Sequence, residues 1–407
     1  MKNIAPISLC IILLLCSYTL SGQKGWTLEM CIEYGLQNSL DVESTKLQYK
    51  QGEISHIGSY MELLPEIQHQ TGWSIHPQPH LTSYLDISLG IFNGMAKINN
   101  INLKSTSLEM YGQEIRQAKY ELKISITQAF LDLLIAQEMV TMGEESYKGI
   151  REQYIKSEAL FRGGRITHSS LLEIGSQKSS EWAKLVEYRS TLSYRLLHLK
   201  QLINFPYSED LFIVPDHYMV TGAEVPTLNV EEIFTKATEL PYITIAKLDI
   251  LREKYSAKIL YGGAMPLLSF NMSIDIPNRM STLGFHITLP IFNRGTLLTE
   301  IRNTNLNIKH RELELEKRYR NLYREIDMAT LQARTCYEQY TASLDQVSAM
   351  EESFKYAQKE FDLGLLTPFD YNYTRNQLLK ARSESIQAKY KYLFQLKIID
   401  YYQGETE

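Results

Sequence analysis

The sequence predicts a mostly helical chain built from two tandem copies of one unit, each with two β-strands and a hairpin of very long helices. Three observations carry this: where the prolines fall, how the sequence coincides with itself at a fixed offset, and how the apolar period changes along each half. None of the twelve prolines lies between Pro79 and Pro206 or between Pro290 and Pro368. These proline-free runs of 126 and 77 residues point to long helices, because a proline inside a helix costs about 3 kcal/mol.

The chain has 407 residues, 44% of them hydrophobic, with 42 Lys+Arg against 47 Asp+Glu. That composition is neither disordered nor collagen-like. A net charge of −5 gives no electrostatic reason to expect nucleic acid. Only Ile4–Leu20 has the composition of a membrane helix, and it opens the chain. Elsewhere no run of about 18 apolar residues occurs, which excludes a multi-helix inner-membrane protein. Lys2, the apolar Ile4–Leu15 and the small residues near Gly22 read as a signal peptide over 1–22 that exports the chain. Leu15 stands before Cys16 where a lipoprotein needs a small residue, so no lipid anchor is expected. The mature chain keeps Cys31 and Cys336, 305 positions apart. They are no disulfide framework; they read as packed hydrophobes, with a single bridge left open by an oxidising compartment.

Sliding the chain by 200–201 residues superimposes Leu64-Pro65-Glu66-Ile67 on Met265-Pro266-Leu267-Leu268, and Leu89-Gly90-Ile91-Phe92-Asn93 on Leu289-Pro290-Ile291-Phe292-Asn293. Phe161, Gly164 and Thr167 fall on Phe361, Gly364 and Thr367. The expected organisation is a first repeat over 23–205, a linker over 206–228 with three prolines, a second repeat over 229–403 and a tail over 404–407. Glu407 follows soon after the last predicted helix, so no C-terminal accessory domain is expected.

Within each repeat a helix comes first and two strands follow, predicted near 67–75 and 84–92 in the first repeat and near 267–276 and 282–291 in the second. Leu268 to Ile276 alternates apolar and polar at every step, and Leu283 to Leu289 does the same. Ile67 to Ile75 is weaker, because His69 and Thr71 interrupt its apolar side. Period-two alternation fits a membrane strand with lipid on one face and water on the other. A half-buried soluble hairpin alternates identically, so alternation alone leaves both open. After the strands, Leu315, Tyr319, Leu322, Ile326, Ala329, Ala333, Cys336, Tyr340, Leu344, Val347, Met350, Phe354, Ala357 and Phe361 follow at steps of three or four. That is a coiled-coil-like seam whose aromatic members are core knobs.

Together these fragments resemble the TolC-type outer-membrane efflux channel family. The resemblance rests on Trp26–Ser39 as an opening equatorial helix and on Leu-Pro before the first strand. It also rests on Phe-Asn-Gly and Phe-Asn-Arg-Gly after the second strands, on Phe161-Arg162-Gly163-Gly164 at the first helical turn, and on Leu-Ile-Asn-Phe-Pro at 202–206. It covers nearly all of the mature chain in order. It implies a mostly α fold with a membrane β-barrel: four strands per chain, a homotrimer closing a twelve-stranded barrel, and a periplasmic helical cylinder. The implied function is a passive exit duct of a tripartite efflux or type I secretion system, spanning the outer membrane with a large periplasmic portion. Its partners would be a periplasmic adaptor and an inner-membrane RND or ABC transporter. An exported trimeric coiled coil without a channel role is the alternative.

The resemblance assigns Asp370 to a ring constricting the periplasmic mouth, and Gly164, Thr167, Gly364, Leu365 and Thr367 to adaptor-contacting tips. Tyr373 stands where the family has a second acid, Ser170 occupies the position corresponding to Asp370, and Pro368 stiffens the turn. A gate of several charged rings is therefore not expected. Alternation places Asp86, Ser88, Ser269, Asn271, Ser273, Asp275, His286 and Thr288 toward the lumen. No catalytic constellation, cofactor motif or metal site is expected. His76 and His80 flank Pro-Gln-Pro and read as loop residues. Gly163-Gly164 lacks the strand and Lys-Ser/Thr of a phosphate loop. The charges of Lys309–Arg324 read as a solvated helix face.

Overall fold

The computed structural model describes residues 25–75, 80–215 and 228–404. The predicted signal peptide, His76 and, of the linker prolines, Pro226 lie outside them. Leu28–Asn38 (α1) and Leu40–Met61 (α2) precede strands Glu66–Ser74 (β1) and His80–Asn93 (β2). Helices Ala96–Arg162 (α3) and His168–Leu202 (α4) complete the first half. Val230–Ala237 (α5) and Pro241–Gly262 (α6) open the second half and lead to strands Leu267–Asp275 (β3) and Met280–Thr288 (β4). Helices Thr296–Asp362 (α7) and Pro368–Gln403 (α8) close it. Both α3 and α7 run 67 residues, as the proline-free stretches require. No helix among the described residues is long and apolar enough to cross a membrane.

The chain divides into two compact units, each drawing on both halves. One holds the described residues up to 39, 122–215 and 329–398; the other holds 40–121, 229–328 and 399–404. In the first, Ile126, Phe130, Leu133, Ile150, Ile174, Leu185 and Leu199 are fully buried. Trp26 bridges in parallel to Ile213 and meets Tyr34 and Phe205 edge-on at 5.4 Å. Of the predicted α7 seam, Leu322, Ile326, Ala329, Ala333, Cys336 and Ala357 are buried, whereas Leu344 is 46% exposed. Cys31 and Cys336 are buried and unbridged. Burial pushes the Cys336 thiol above its ordinary range, which keeps it protonated and unreactive.

In the second unit the strands form one antiparallel sheet in the order β1-β2-β3-β4. Glu66 opposes Ser88 in the first hairpin and Leu267 opposes Thr288 in the second. The offsets of 201 and 200 residues carry one pair onto the other. The central junction sets Asp86 against Ser273 and Leu89 against Phe270, with a bulge between Gly90 and Phe92. Strand boundaries depart from the expected ones at β2, which starts at His80 rather than near 84, and at β4, which stops at Thr288 rather than near 291. The reason is pairing. Beyond Ser88, β2 continues to Asn93 only because β3 pairs with it there, and β4 has no such neighbour past Thr288. His80, read as a loop residue, is the first residue of β2 and opposes Ser74.

Each second strand leaves through two successive left-handed residues, Gly94 and Met95 (φ 63° and 67°) or Arg294 and Gly295 (φ 60° and 79°). At Gly94 a side chain is also excluded sterically: a Cβ would lie 2.2 Å from the Gly262 carbonyl oxygen. The end of α6 therefore meets the start of α3 backbone to backbone.

Candidate functional site: a two-faced sheet and a pair of helical tips

Register sorts every strand residue onto one of two faces, because directly opposed residues share a face. One face carries Glu66, Gln68, Asp86, Ser88, Ser269, Asn271, Ser273 and His286. All the sequence-predicted lumen residues lie on it, including Asp275 opposite Tyr84 and Thr288 opposite Leu267. Its polar groups bond across strands. The Ser273 hydroxyl donates to Asp86 Oδ1 at 2.5 Å, and Asn271 Nδ2 lies 3.1 Å from His286 Nδ1. Asp275 has a second task, accepting from the Asn278 backbone N–H at 3.1 Å and so shaping the β3–β4 turn.

The opposite face carries Ile67, Trp73, Leu81, Leu85, Ile87, Leu89, Phe270, Met272, Ile274, Leu283, Phe285 and Ile287. Phe270 and Phe285 pack across strands with centroids 5.3 Å apart. Trp73, Leu283, Phe285 and Ile287 are all about two-thirds exposed or more. His69 and Thr71 interrupt this face as the sequence indicates, and they satisfy each other at 2.9 Å. In water such a face is a liability, as are the two unpaired edges, β1 and β4.

The tips belong to the other unit. Helix α3 ends in a Schellman motif: Arg165 N–H bonds Leu160 O at 2.9 Å and Gly164 N–H bonds Phe161 O at 2.9 Å, with Gly164 at φ 69°. Helix α7 repeats it with Leu365 to Glu360 at 2.8 Å, Gly364 to Phe361 at 3.0 Å, and Gly364 at φ 76°. Thr167 and Thr367 then cap α4 and α8, their hydroxyls accepting from Ser170 N–H and Asp370 N–H at 3.2 Å. Gly164, Gly364, Thr367 and Leu365 are exposed, Leu365 by 75%, and Thr167 is exposed as well. Asp370 is exposed and accepts the Thr367 hydroxyl at 2.7 Å. Within one chain it is thus part of a cap.

Behind the tips runs a groove of about 730 Å³ lined by parts of α3, α4, α7 and α8, with a polar cluster that sequence reasoning missed. Arg375, 6% exposed, donates to Ser146 O and Oγ at 2.8 and 2.6 Å, and the Ser146 hydroxyl donates to Glu181 Oε2 at 2.7 Å. Burial lowers the Arg375 pKa and Glu181 opposes that shift. A signal for the cluster exists. Arg375 follows Tyr371 by four and precedes Leu378 by three, and Glu181 sits seven after Ile174 and four before Leu185, so each charge occupies an apolar step of its helix. Further along the same helices Tyr390 Oη donates to Glu138 Oε1 at 2.5 Å.

Comparison with known proteins decides what this arrangement resembles. Residues 271–398 match the family model of the outer membrane efflux proteins. The transmembrane channel CusC covers 95% of this chain and is itself covered to 95%, with a TM-score of 0.81 at 13% identity. The chain has the TolC-type channel fold. The CmeC outer membrane channel of Campylobacter jejuni superimposes on 93% of it, and on 85% of its own length, with a TM-score of 0.79 at 17% identity. Among curated sequences, the alkaline protease secretion protein AprF of Pseudomonas aeruginosa is 21% identical over 311 residues, 72% of this chain. This chain spans 63% of AprF's length, under two thirds. In a TolC-type fold the two-faced sheet and the glycine-ended hairpins are the parts that differ from an ordinary helical bundle, and they carry the functional reading.

Proposed function

We propose that this protein is an outer-membrane exit duct of a tripartite efflux or type I secretion system. It is a passive conduit whose energy comes from an inner-membrane RND or ABC transporter joined through a periplasmic adaptor. The observation that carries the reading is the sheet, apolar and exposed on one side, hydrogen-bonded and polar on the other, with both edges open. A sheet in lipid must close on itself, because unpaired backbone groups cost several kcal/mol each there. Four strands are too few to close, so three copies form a twelve-stranded barrel with the polar face around water. The chain is exported by residues 1–22, and 23–205 and 229–403 are copies of one duplicated unit. The matching hairpin registers support that duplication. No covalent step is involved. The outer membrane efflux match and the protease secretion role named for AprF support both branches of the system.

Within this reading the glycine turns are the adaptor-contacting tips and Asp370 forms a three-fold carboxylate ring at the periplasmic mouth. Its hydrogen bond to Thr367 leaves the second carboxylate oxygen available to such a ring. The test is single-channel recording of the protein in a planar bilayer with trivalent cations on the periplasmic side. Discrete conductance, blocked by the cation and released by Asp370→Asn, is expected. Block unchanged by the substitution assigns Asp370 to the cap alone, and absence of conductance removes the conduit.

A further inference from the structure

The chain contains the template for its own contact with a neighbour. Its two hairpins are related by offsets of 201 residues in the first strands and 200 in the second, and both hairpin registers obey that relation. Inside the chain, the second strand of repeat one meets the first strand of repeat two. The same junction is available once more, between the second strand of repeat two and the first strand of repeat one, and only another copy can supply it. Resting on the closed-barrel reading above, we infer that β4 pairs with β1 of a second copy in one register, with Gly284 opposite Ser74, Phe285 opposite Trp73, Ile287 opposite Thr71, and, past a bulge at Pro290, Phe292 opposite Ile67.

The register follows by carrying each internal pair across. Leu85 opposite Ile274 becomes Phe285 opposite Trp73, Ile87 opposite Met272 becomes Ile287 opposite Thr71, and Phe92 opposite Leu268 becomes Phe292 opposite Ile67. Each transferred pair joins like faces. Phe285 and Trp73 both lie on the apolar face, while Thr288 and Gln70, the image of Ser88 and Asn271, both lie on the polar one. A slip of one residue breaks this match along the whole seam. Pro290 falls on Gly90, which opens the internal bulge just before the unpaired Ile91, and a bulge is one of the few places where a strand tolerates the missing N–H. Exposure agrees: Ile91 and Phe92, beside β3, are 49% and 41% exposed, whereas Ile291 and Phe292 are 91% and 82% exposed.

The junction between copies is also the softer of the two. Internally, Leu89 meets Phe270 and Ile87 meets Met272. Between copies the images are Leu289 with His69 and Ile287 with Thr71, so two apolar pairs become mixed ones. At the helix ends the internal contact joins Gly94 to Gly262, and its image joins Arg294 to Met61, which cannot approach as closely.

Disulfide trapping tests the seam. Directly opposed residues have Cα atoms about 4.5–5.5 Å apart, inside the disulfide range, whereas a two-residue slip moves them to about 7–8 Å. The double variants Trp73→Cys with Phe285→Cys, and Ile67→Cys with Phe292→Cys, are expressed as full-length protein and oxidised in outer membranes. Cys31 and Cys336 are buried and stay silent. Both pairs are expected to convert the monomer band into covalent dimer and trimer bands. The slipped pairs Thr71→Cys with Phe285→Cys, and Trp73→Cys with Ile287→Cys, are expected to leave it monomeric. Trapping by a slipped pair instead overturns the register. No trapping by any pair, while native mass spectrometry reports an intact trimer, overturns the seam and leaves the conduit standing. Monomers alone overturn both.

Discussion

Glu181, Ser146 and Arg375 tie three helices of one unit together through two hydrogen-bonded steps. Removing one member of such a buried charged group leaves the other uncompensated, at about 3–5 kcal/mol, whereas replacing both by apolar groups is close to neutral. Glu181→Ala is therefore expected to lower the stability of this unit by about that amount in urea titrations followed by circular dichroism, and Arg375→Met in the same chain to recover most of the loss. Equal loss in the single and double variants contradicts the coupling. Tyr390 adds a pH dependence. Burial, and then the hydrogen bond to Glu138, raise its pKa above the ordinary value of 10.0. Its neutral form is the one that fits the fold, so the stabilisation is complete below about pH 10 and is lost as the pH rises toward the folded-state pKa. Tyr390→Phe is expected to flatten the alkaline limb of the stability profile. An unchanged limb assigns the loss to other phenols such as Tyr120 and Tyr242, whose pKa values are also raised by burial.

At the scale of elements, two kinds of glycine carry different loads. Gly364 sits at φ 76° with nothing near its missing Cβ, so Gly364→Ala meets only the left-handed penalty of about 1–2 kcal/mol. Gly94→Ala adds a clash with the Gly262 backbone. The expected outcome is normal assembly of the first variant and loss of heat-resistant multimers in the second, read on semi-native gels; equal behaviour contradicts the backbone contact. The long helices, four strands and both tip turns were legible in the sequence because each depends on local signals: absent proline, period-two alternation, and glycine before a Thr cap. The Gly94–Gly262 contact was not, since it joins residues 168 positions apart with no period linking them. The end of β4 was misplaced because strand ends depend on which neighbour is present, and alternation contains nothing about neighbours. Arg375 was overlooked because charge suggests solvent, although its place on an apolar helix step says otherwise.

For the whole molecule, a conduit requires water to meet one face of the sheet and lipid the other. Adjacent residues of β3 make the sharpest comparison. Phe270 packs on Phe285 on the apolar face, and Asn271, one step on, shares the polar face with His286. Three copies closing a barrel around the polar face leave Asn271 wet and Phe270 in hydrocarbon. An arginine at 270 near the midplane is then expected to cost about 2–4 kcal/mol, while one at 271 alters conductance rather than assembly. The most direct measurement is labelling of Phe270→Cys and Asn271→Cys, each in the full-length protein in outer membranes, with a membrane-impermeant thiol reagent. Ready reaction at 271 and none at 270 is expected; ready reaction at 270 with protection at 271 overturns the assignment of the two faces.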